Sequence, residues 1–592
     1  MKRHLYLFIL ILTLSVFSEV RAQEVTPTPS PSPSPTVQPN VDDKQNVQPE
    51  NLTGVPTVAP NYQKDDKSLP DLGRVGVDMM EQKPLGLKEA ITLALENNKD
   101  IEVTRQNVKI AEFDLQSARG FYEPRFSGQT YYERATTPNV SIFSSNATTT
   151  TNSIVGNAGF TGSLPRFGTT YNATVSNQRV NTNNPISILS PQNNSSFNLG
   201  ITQPLFRGRR FDQPRRVIEI AKRNLSLTDT QFRQRSIEII TNVQRAYWDL
   251  VYALRNLQVQ RDGVRDAKDQ LEHNKRLVDE GSLAPIDVVA AETQVANIEQ
   301  GVYEALETVG RAENTLKNLI AQNKDDSLWR ESIVPTDSVD LEAPRTTLPE
   351  ALTLALDNRP EIEINKVQTD INALDQRFYR EQTKPQIDLT ASYTSSGVGG
   401  SQNPDFVPFL TVTCLPTDTA CLDAQAQRAL AQQRQLATLT GSSITDVFAN
   451  RYPTFRAGVV FNLPLFGDKT AKANLGKSLV QGQQIQTQRQ QIEQTIQVDV
   501  RNALQSVRTA EARLRSAAIS RENSQKQYES EQRKLDAGQS DVYKVLERQT
   551  ALIAARSNEL RAQTELNKSI ADLQRATGNS LKANNVEARL RK

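Results

Sequence analysis

The sequence predicts a mixed α and β chain made of two internal repeats, in which pairs of strands are continued by long coiled-coil helices. Three observations carry this. Apolar or small residues recur in alternating steps of three and four through Ile240, Val243, Tyr247, Leu250, Leu254 and Leu257, and then every seven at Val264, Leu271 and Val278, with the polar Arg261, Lys268 and Lys275 filling the registers between, which is the seam of a coiled coil. The stretch Leu87-Lys-Glu-Ala-Ile-Thr-Leu-Ala-Leu-Glu-Asn-Asn98 returns 261 residues later as Leu348-Pro-Glu-Ala-Leu-Thr-Leu-Ala-Leu-Asp-Asn-Arg359, an internal repeat. After Pro385, the apolar Ile387, Leu389, Ala391 and Tyr393 alternate with Asp388, Thr390, Ser392 and Thr394, a two-faced strand.

In chain order, residues 1–22 read as a secretory signal: Lys2, Arg3 and His4, then the apolar Leu5 to Phe17, then small residues at Val20-Arg21-Ala22. No cysteine follows the cleavage position, so no lipid anchor is expected there. Residues 23–80 are a Pro/Thr/Ser-rich arm that cannot bury a core and favours extended conformations.

The first repeat spans 81–346. It reads as a helix from Leu87 to about Arg119, a strand over Phe126 to Tyr132, and a returning strand through Phe197, Leu199 and Ile201 that stops at Pro204-Leu-Phe206. A long helix over 211–281 follows, then a turn at Gly281, a helix over 285–320 and an irregular connection over 321–346. The second repeat, 347–577, has a helix over 347–381, the strand after Pro385, and a strand Phe455 to Leu463 stopping at Pro464-Leu-Phe466. It ends with a long helix over 469–537, a turn at Gly538 and a helix over 542–577. Residues 578–592 are a tail. The glycines suit the helix ends because they take the left-handed conformation at little cost. A helix of roughly 70 residues is a rod of about 100 Å that needs neighbours along its length. The lengths suggest that 285–320 with 347–381, and 542–577 with 87–119, make up two matching columns.

The connections between strands are long. The first, 136–195, contains a further hairpin, with Phe160, Gly162 and Leu164 leading to a turn at Pro165 to Gly168 and Tyr171, Ala173 and Val175 returning. The second, 395–451, carries Cys414, Cys421 and a helical stretch from Leu422 to Leu436. In an exported chain, cysteines so close are expected to form a local disulfide.

Composition excludes several classes. A formal net charge of +2 gives no reason to expect a nucleic-acid partner. Beyond the N-terminus no apolar run is long enough for a membrane helix, which leaves a soluble exported protein or a β-barrel. The chain has two histidines, His4 and His273, and lacks a phosphate-binding glycine loop, CxxC and HExxH. No catalytic residue, metal or cofactor is therefore expected. His273 reads as a solvated helix-face residue, and Tyr247 and Trp248 as packing. A secreted coiled-coil structural scaffold is the competing reading. It explains the heptads but not the alternating strands.

Two strands per repeat give four per chain, too few to close a barrel with a lumen, so a barrel has to be shared among copies. Together with the doubled helix openings, Gln203-Pro-Leu-Phe206, Leu463-Pro-Leu-Phe466-Gly467, Ala246-Tyr-Trp-Asp-Leu250 and the tips Glu280-Gly-Ser282 and Ala537-Gly-Gln539, this resembles the TolC family of outer-membrane efflux proteins over roughly residues 85–577. The resemblance implies a homotrimer with a trimeric transmembrane β-barrel, four strands per chain, continued by a long coiled-coil α-helical barrel. It implies the outer-membrane exit duct of a tripartite efflux or type I secretion system, extending into the periplasm. The duct would conduct passively once a periplasmic adaptor, itself joined to an inner-membrane pump, has opened it.

On this resemblance Ile387, Leu389 and Tyr393 would meet outer-membrane lipid, Asp388, Thr390 and Ser392 would line the lumen, and the cysteines would lie in an extracellular loop. Gly281, Ser282, Gly538 and Gln539 would form adaptor-docking hairpin tips. Asp287 matches an aspartate of the periplasmic aperture's bond network, and Glu547 a carboxylate of its acidic constriction. The sequence departs from the pattern at Leu535 (an aperture tyrosine), Ser540 (an arginine) and Lys544 (a second acidic residue), which alters the closing bonds and the constriction's charge. For the hairpin at 154–178, three placements are open: extending the barrel wall, folding into the lumen or packing outside. Drug, metal and protein cargo are all compatible.

Overall fold

The structure, a computed structural model, describes residues 72–139, 147–407, 413–464 and 468–586. The expected signal, the arm as far as residue 71, the Leu465 to Gly467 part of the second strand stop and the last six residues lie outside the described residues. The elements below all belong to one compact unit, Gly73–Lys592.

The first half contains β1 (Asp78–Leu85), α1 (Leu87–Asn97), α2 (Lys99–Arg119), β2 (Arg125–Pro138), β3 (Thr148–Ser163), β4 (Thr170–Thr182) and β5 (Leu189–Pro204). The long helix α3 (Gln213–Asp279), the returning α4 (Pro285–Ile320) and the short β6 (Glu331–Pro335) complete it. The second half contains α5 (Leu348–Asn358), α6 (Pro360–Gln382), β7 (Gln386–Gln402), α7 (Thr419–Leu439), α8 (Ser443–Phe448) and β8 (Tyr452–Asn462). It ends with α9 (Lys469–Asp536), α10 (Val542–Ala576) and the single turn α11 (Ser580–Ala583).

Both short helices expected as continuous are broken. Asn98 is extended and its side chain accepts from the Asp100 N–H at 3.0 Å, so it starts a new helix after α1. In the second half Arg359 is extended and Pro360 opens α6, as the residue before a proline favours. The connection at 321–346 is not wholly irregular either. Its β6 pairs in parallel with β1, Leu85 opposite Pro335 and Lys83 opposite Ile333.

The large sheet holds two strands beyond the four expected for a barrel: among the described residues it has six, in the order β2-β3-β4-β5-β7-β8, each pair antiparallel. The hairpin expected at 154–178 is β3–β4, and it lies within the sheet between the first strand and the returning one. Register explains why it fits there. One row of directly opposed residues runs Phe126, Phe160, Ala173, Leu199, Tyr393, Phe455 across all six strands. The next row, on the other face, runs Ser127, Gly159, Thr174, Asn198, Thr394, Thr454. A slip of one residue would put the hairpin's apolar set on the polar face. The apolar face is open to its surroundings: Phe455 is 83% exposed and Phe126 64%.

Above this belt, α8 folds back onto the same face. Gly397 and Gly399 permit it, since a Cβ on either would lie about 2 Å from the Ser443 or Gly441 carbonyl oxygen. Ser395 Oγ donates to the Val447 carbonyl at 2.7 Å. Cys414, five residues before α7, is joined by a disulfide to Cys421 in the first turn of that helix, with Cα atoms 5.7 Å apart.

The helices form four columns, and their make-up differs from the expected one. Asn97 and Asn98 each donate a side-chain N–H, at 3.1 Å, to the last carbonyls of α4, Ile320 and Leu319. So α2 is stacked on α4. Likewise Gly578, just past α10, lies against the backbone of Asn358 and Arg359, so α6 is stacked on α10. Each short helix therefore continues the returning helix of its own repeat, α2 following α4 and α6 following α10. Ion pairs record the neighbours of α3: Arg216–Asp375 (2.7 Å) and Arg223–Asp370 (3.2 Å) to α6, then Lys568–Asp249 (2.8 Å) and Arg556–Asp266 (3.8 Å) to α10. The seam residues Ile240, Val243, Tyr247 and Leu250 are fully buried, as are Ile496 and Val500 of α9. Each large apolar side chain so buried contributes about 2 kcal/mol.

Candidate functional site

The two hairpin tips are the chemically distinct end of the helical columns. α3 ends at Gly281 (φ 76°) and α9 at Gly538 (φ 68°). The bonds at the two ends match. Gly281 N–H donates to Val278 O at 2.9 Å and Ser282 N–H to Leu277 O at 2.8 Å; Gly538 N–H donates to Leu535 O at 2.9 Å and Gln539 N–H to Lys534 O at 2.8 Å. This is a Schellman stop, in which the left-handed residue turns two backbone donors onto orphan carbonyls. A Cβ at either glycine would meet open space, so these positions select glycine through backbone conformation alone.

The fold brings the two tips together. Leu535, Val542, Val545 and Leu546 are buried in one cluster, and Leu283 from the other hairpin packs against it. Leu535 stands where the resemblance implies a tyrosine, and it is an apolar contact. Higher up, Ile553 of α10 packs with Ala267, Val295 and Ile298. Two polar contacts that the sequence reading missed also tie the hairpins. Gln294 Nε2 donates to Thr550 Oγ1 at 2.6 Å. His273 Nε2 lies 3.1 Å from Asp536 Oδ1, so His273 is not a merely solvated helix-face residue but joins α3 to the end of α9. Periodicity reports which face a residue occupies and not which helix comes to meet it, so no signal in the sequence could have found either contact.

The charged residues singled out are engaged locally. Asp287 accepts the Ala284 N–H at 3.2 Å and caps its own helix. Lys544 pairs with Asp541 at 3.0 Å. Asp541 accepts the Lys544 N–H, and this bond and the ammonium hold its carboxyl below the usual range, while the carboxylate raises Lys544. Ser540 donates to Glu531, which with Lys534 lowers the Glu531 carboxyl. Glu547 lines a groove between α4 and α10 with Ala290, Gln294 and Tyr543. Among the described residues no bond joins Asp287 to Lys544 or Glu547, and no three His, Cys, Asp or Glu side chains gather as a metal would need.

Residues 157–322 and 351–579, well over half of the chain, match the outer membrane efflux protein family. The chain belongs to that family. It is thus an outer-membrane efflux protein. Three solved structures show the same fold. The outer-membrane channel OprN is 14% identical, with a TM-score of 0.58 over 88% of this chain and 99% of its own. The Campylobacter jejuni CmeC outer membrane channel is 15% identical, with a TM-score of 0.57 over 88% and 94%. The open state of the Neisseria gonorrhoeae MtrE outer membrane channel is 16% identical, with a TM-score of 0.52 over 84% and 89%. No curated protein matches the sequence.

Proposed function

We propose that three copies form a passive exit duct of a tripartite efflux or type I secretion system, opened at its periplasmic end when an adaptor docks on the hairpin tips. The carrying observation is the continuity of the chain: a sheet with one apolar and one polar face runs directly into helical columns about 100 Å long that end in two matched tips. The apolar row from Phe126 to Phe455 meets outer-membrane lipid, and the opposite row from Ser127 to Thr454 lines a wet lumen. The disulfide lies in an extracellular loop.

Ser282 and Gln539 present the docking surface. Asp287 bonds across to a neighbouring copy to hold the aperture shut, and Glu547 stands at the constriction, where Lys544 replaces a second carboxylate. The tips are suited to opening because their mutual contact is a small apolar cluster and a few polar bonds, weaker than the packed upper columns. An inner-membrane pump, reached through the adaptor, supplies the energy. That MtrE has an open state supports a movable end.

The test is photo-crosslinking in cells from a probe at Ser282 or Gln539, with the adduct identified by mass spectrometry. The expected product is a periplasmic adaptor. Capture of nothing but copies of this chain from both positions would count against opening by docking.

A further inference from the structure

The six-stranded sheet ends in two open edges. β8 is exposed along its whole length and β2 along all but one residue, and neither has an outer strand partner among the described residues. An edge left open in a bilayer would leave unpaired N–H and C=O groups in hydrocarbon. One chain cannot close on itself, since about eight strands are the least that enclose an interior. Strand directions alternate from β2 to β8, so β8 of one copy meets β2 of the next antiparallel.

We infer that three copies close an eighteen-stranded barrel, six strands from each, as wide as the helical barrel below it, with the β2 and β8 edges as the interface between copies. This rests on the trimeric duct proposed above, and the arc length of each chain carries it. Strands about 4.8 Å apart and tilted about 40° each take about 6.3 Å of circumference, so six take about 38 Å. Four helical columns at a spacing of about 9.5 Å also take about 38 Å. Four strands would take only about 25 Å and narrow the wall by about a third. The match does not depend on how many copies close the ring.

The hairpin's anchorage is independent support. Its turn is fastened to the junction between β5 and α3. Gln203 donates to the Phe167 carbonyl at 3.2 Å, and the guanidinium of Arg209 lies over the Phe167 ring. Arg215 binds the carbonyl of Gly208 at 2.9 Å and also Asp212, beside Gly168. β3 and β4 are thus held at the helical end like the other strands, and their faces continue the apolar and polar rows on both sides.

The consequence is a wide exit. With a side-chain layer of about 5 Å, half the usual spacing between sheets, the lumen radius is about 13 Å, against about 7 Å for twelve strands. The cross-section is more than about threefold larger. The membrane section is then no constriction, and selection by size falls to the periplasmic end.

Electron cryomicroscopy of the full chain in lipid nanodiscs tests this, with a variant lacking residues 139–182 in which β2 leads through 183–188 into β5. A three-fold ring of eighteen strands is expected for the full chain. A three-fold ring of twelve, with β3–β4 outside it, would overturn the inference and leave the duct standing, whereas the absence of any three-fold pore would overturn the duct as well. In bilayers, polyethylene glycol of about 10 Å radius added on the extracellular side should enter the full-length barrel and be excluded from the variant. An equal size limit in both would contradict the wider lumen.

Discussion

Replacing Tyr247 by phenylalanine removes one oxygen and should loosen the middle of the molecule. Tyr247 is fully buried in α3. Its hydroxyl oxygen lies 2.8 Å from Asp337 Oδ2 and 3.1 Å from the Leu85 carbonyl, and it accepts the N–H groups of Thr336 (3.2 Å) and Asp337 (3.1 Å). One atom thus ties the long helix to the end of β1 and to the chain just after β6. Thr336 N–H has a second acceptor, Leu85 O at 3.2 Å, whereas Asp337 N–H has no second acceptor among the described residues. Thr336 and Asp337 are exposed, so their freed N–H groups can turn to water, and the main loss is the bond to the charged Asp337; Tyr247→Phe should destabilise this joint by about 2–3 kcal/mol.

Hydrogen exchange followed by mass spectrometry reads the joint directly. If opening is local, peptides over 333–340 should exchange about 30- to 150-fold faster in the variant. Protection there within about threefold of the parent would refute the reasoning. Burial also pushes the Tyr247 hydroxyl up to about 12. The folded state therefore keeps a proton that the unfolded state releases near pH 10. The contribution of Tyr247 is complete below pH 10 and is lost as pH rises through 12. Thermal stability of the parent should fall over that window, and the phenylalanine variant should show a flatter profile.

Three further outcomes follow from the same structure. Glu313, buried, holds Arg74 at 2.7 Å and Lys317 at 3.4 Å; Glu313→Gln leaves two buried cations without their counter-charge and should cost about 3–5 kcal/mol, seen as a lower melting temperature, and the added change Lys317→Met should recover part of it. Gly281→Ala and Gly538→Ala each place a Cβ in the left-handed region at about 1–2 kcal/mol, so amides in the last turns of α3 and α9 should exchange faster, with asparagine intermediate; equal exchange in all variants would show that the Schellman stops do not fix the tips. Lys544→Glu should make the pore more cation-selective, read as a shifted reversal potential in a salt gradient, and an unmoved potential would remove position 544 from the constriction.

Much of the architecture was legible because its signals are local. The heptad seam of α3, the alternation after Pro385 and the tip glycines each need only neighbouring residues to be read. The hairpin Phe160 to Val175 was also visible, but its place between β2 and β5 depends on register with strands that the sequence does not name. The breaks at Asn98 and Arg359 had signals, a capping side chain before Asp100 and Pro360 at a first turn, that the continuous apolar pattern on either side outweighed. β1 has the non-alternating sequence Asp-Met-Met-Glu-Gln-Lys-Pro-Leu, and it becomes a strand only through β6, some 250 residues away. At the tips the glycines were legible and the contacts were not. Leu535 looked like a missing tyrosine until its burial against Val542 and Leu546 showed it to be part of an apolar lock.

The central claim is a duct closed at its tips, and single-channel recording in planar lipid bilayers tests it most directly. The full chain should give discrete, small conductance steps, and Asp287→Ala should enlarge them severalfold by releasing the aperture. Bilayers that take up the protein and show no steps would contradict the duct, and steps unchanged by Asp287→Ala would contradict its closure at Asp287.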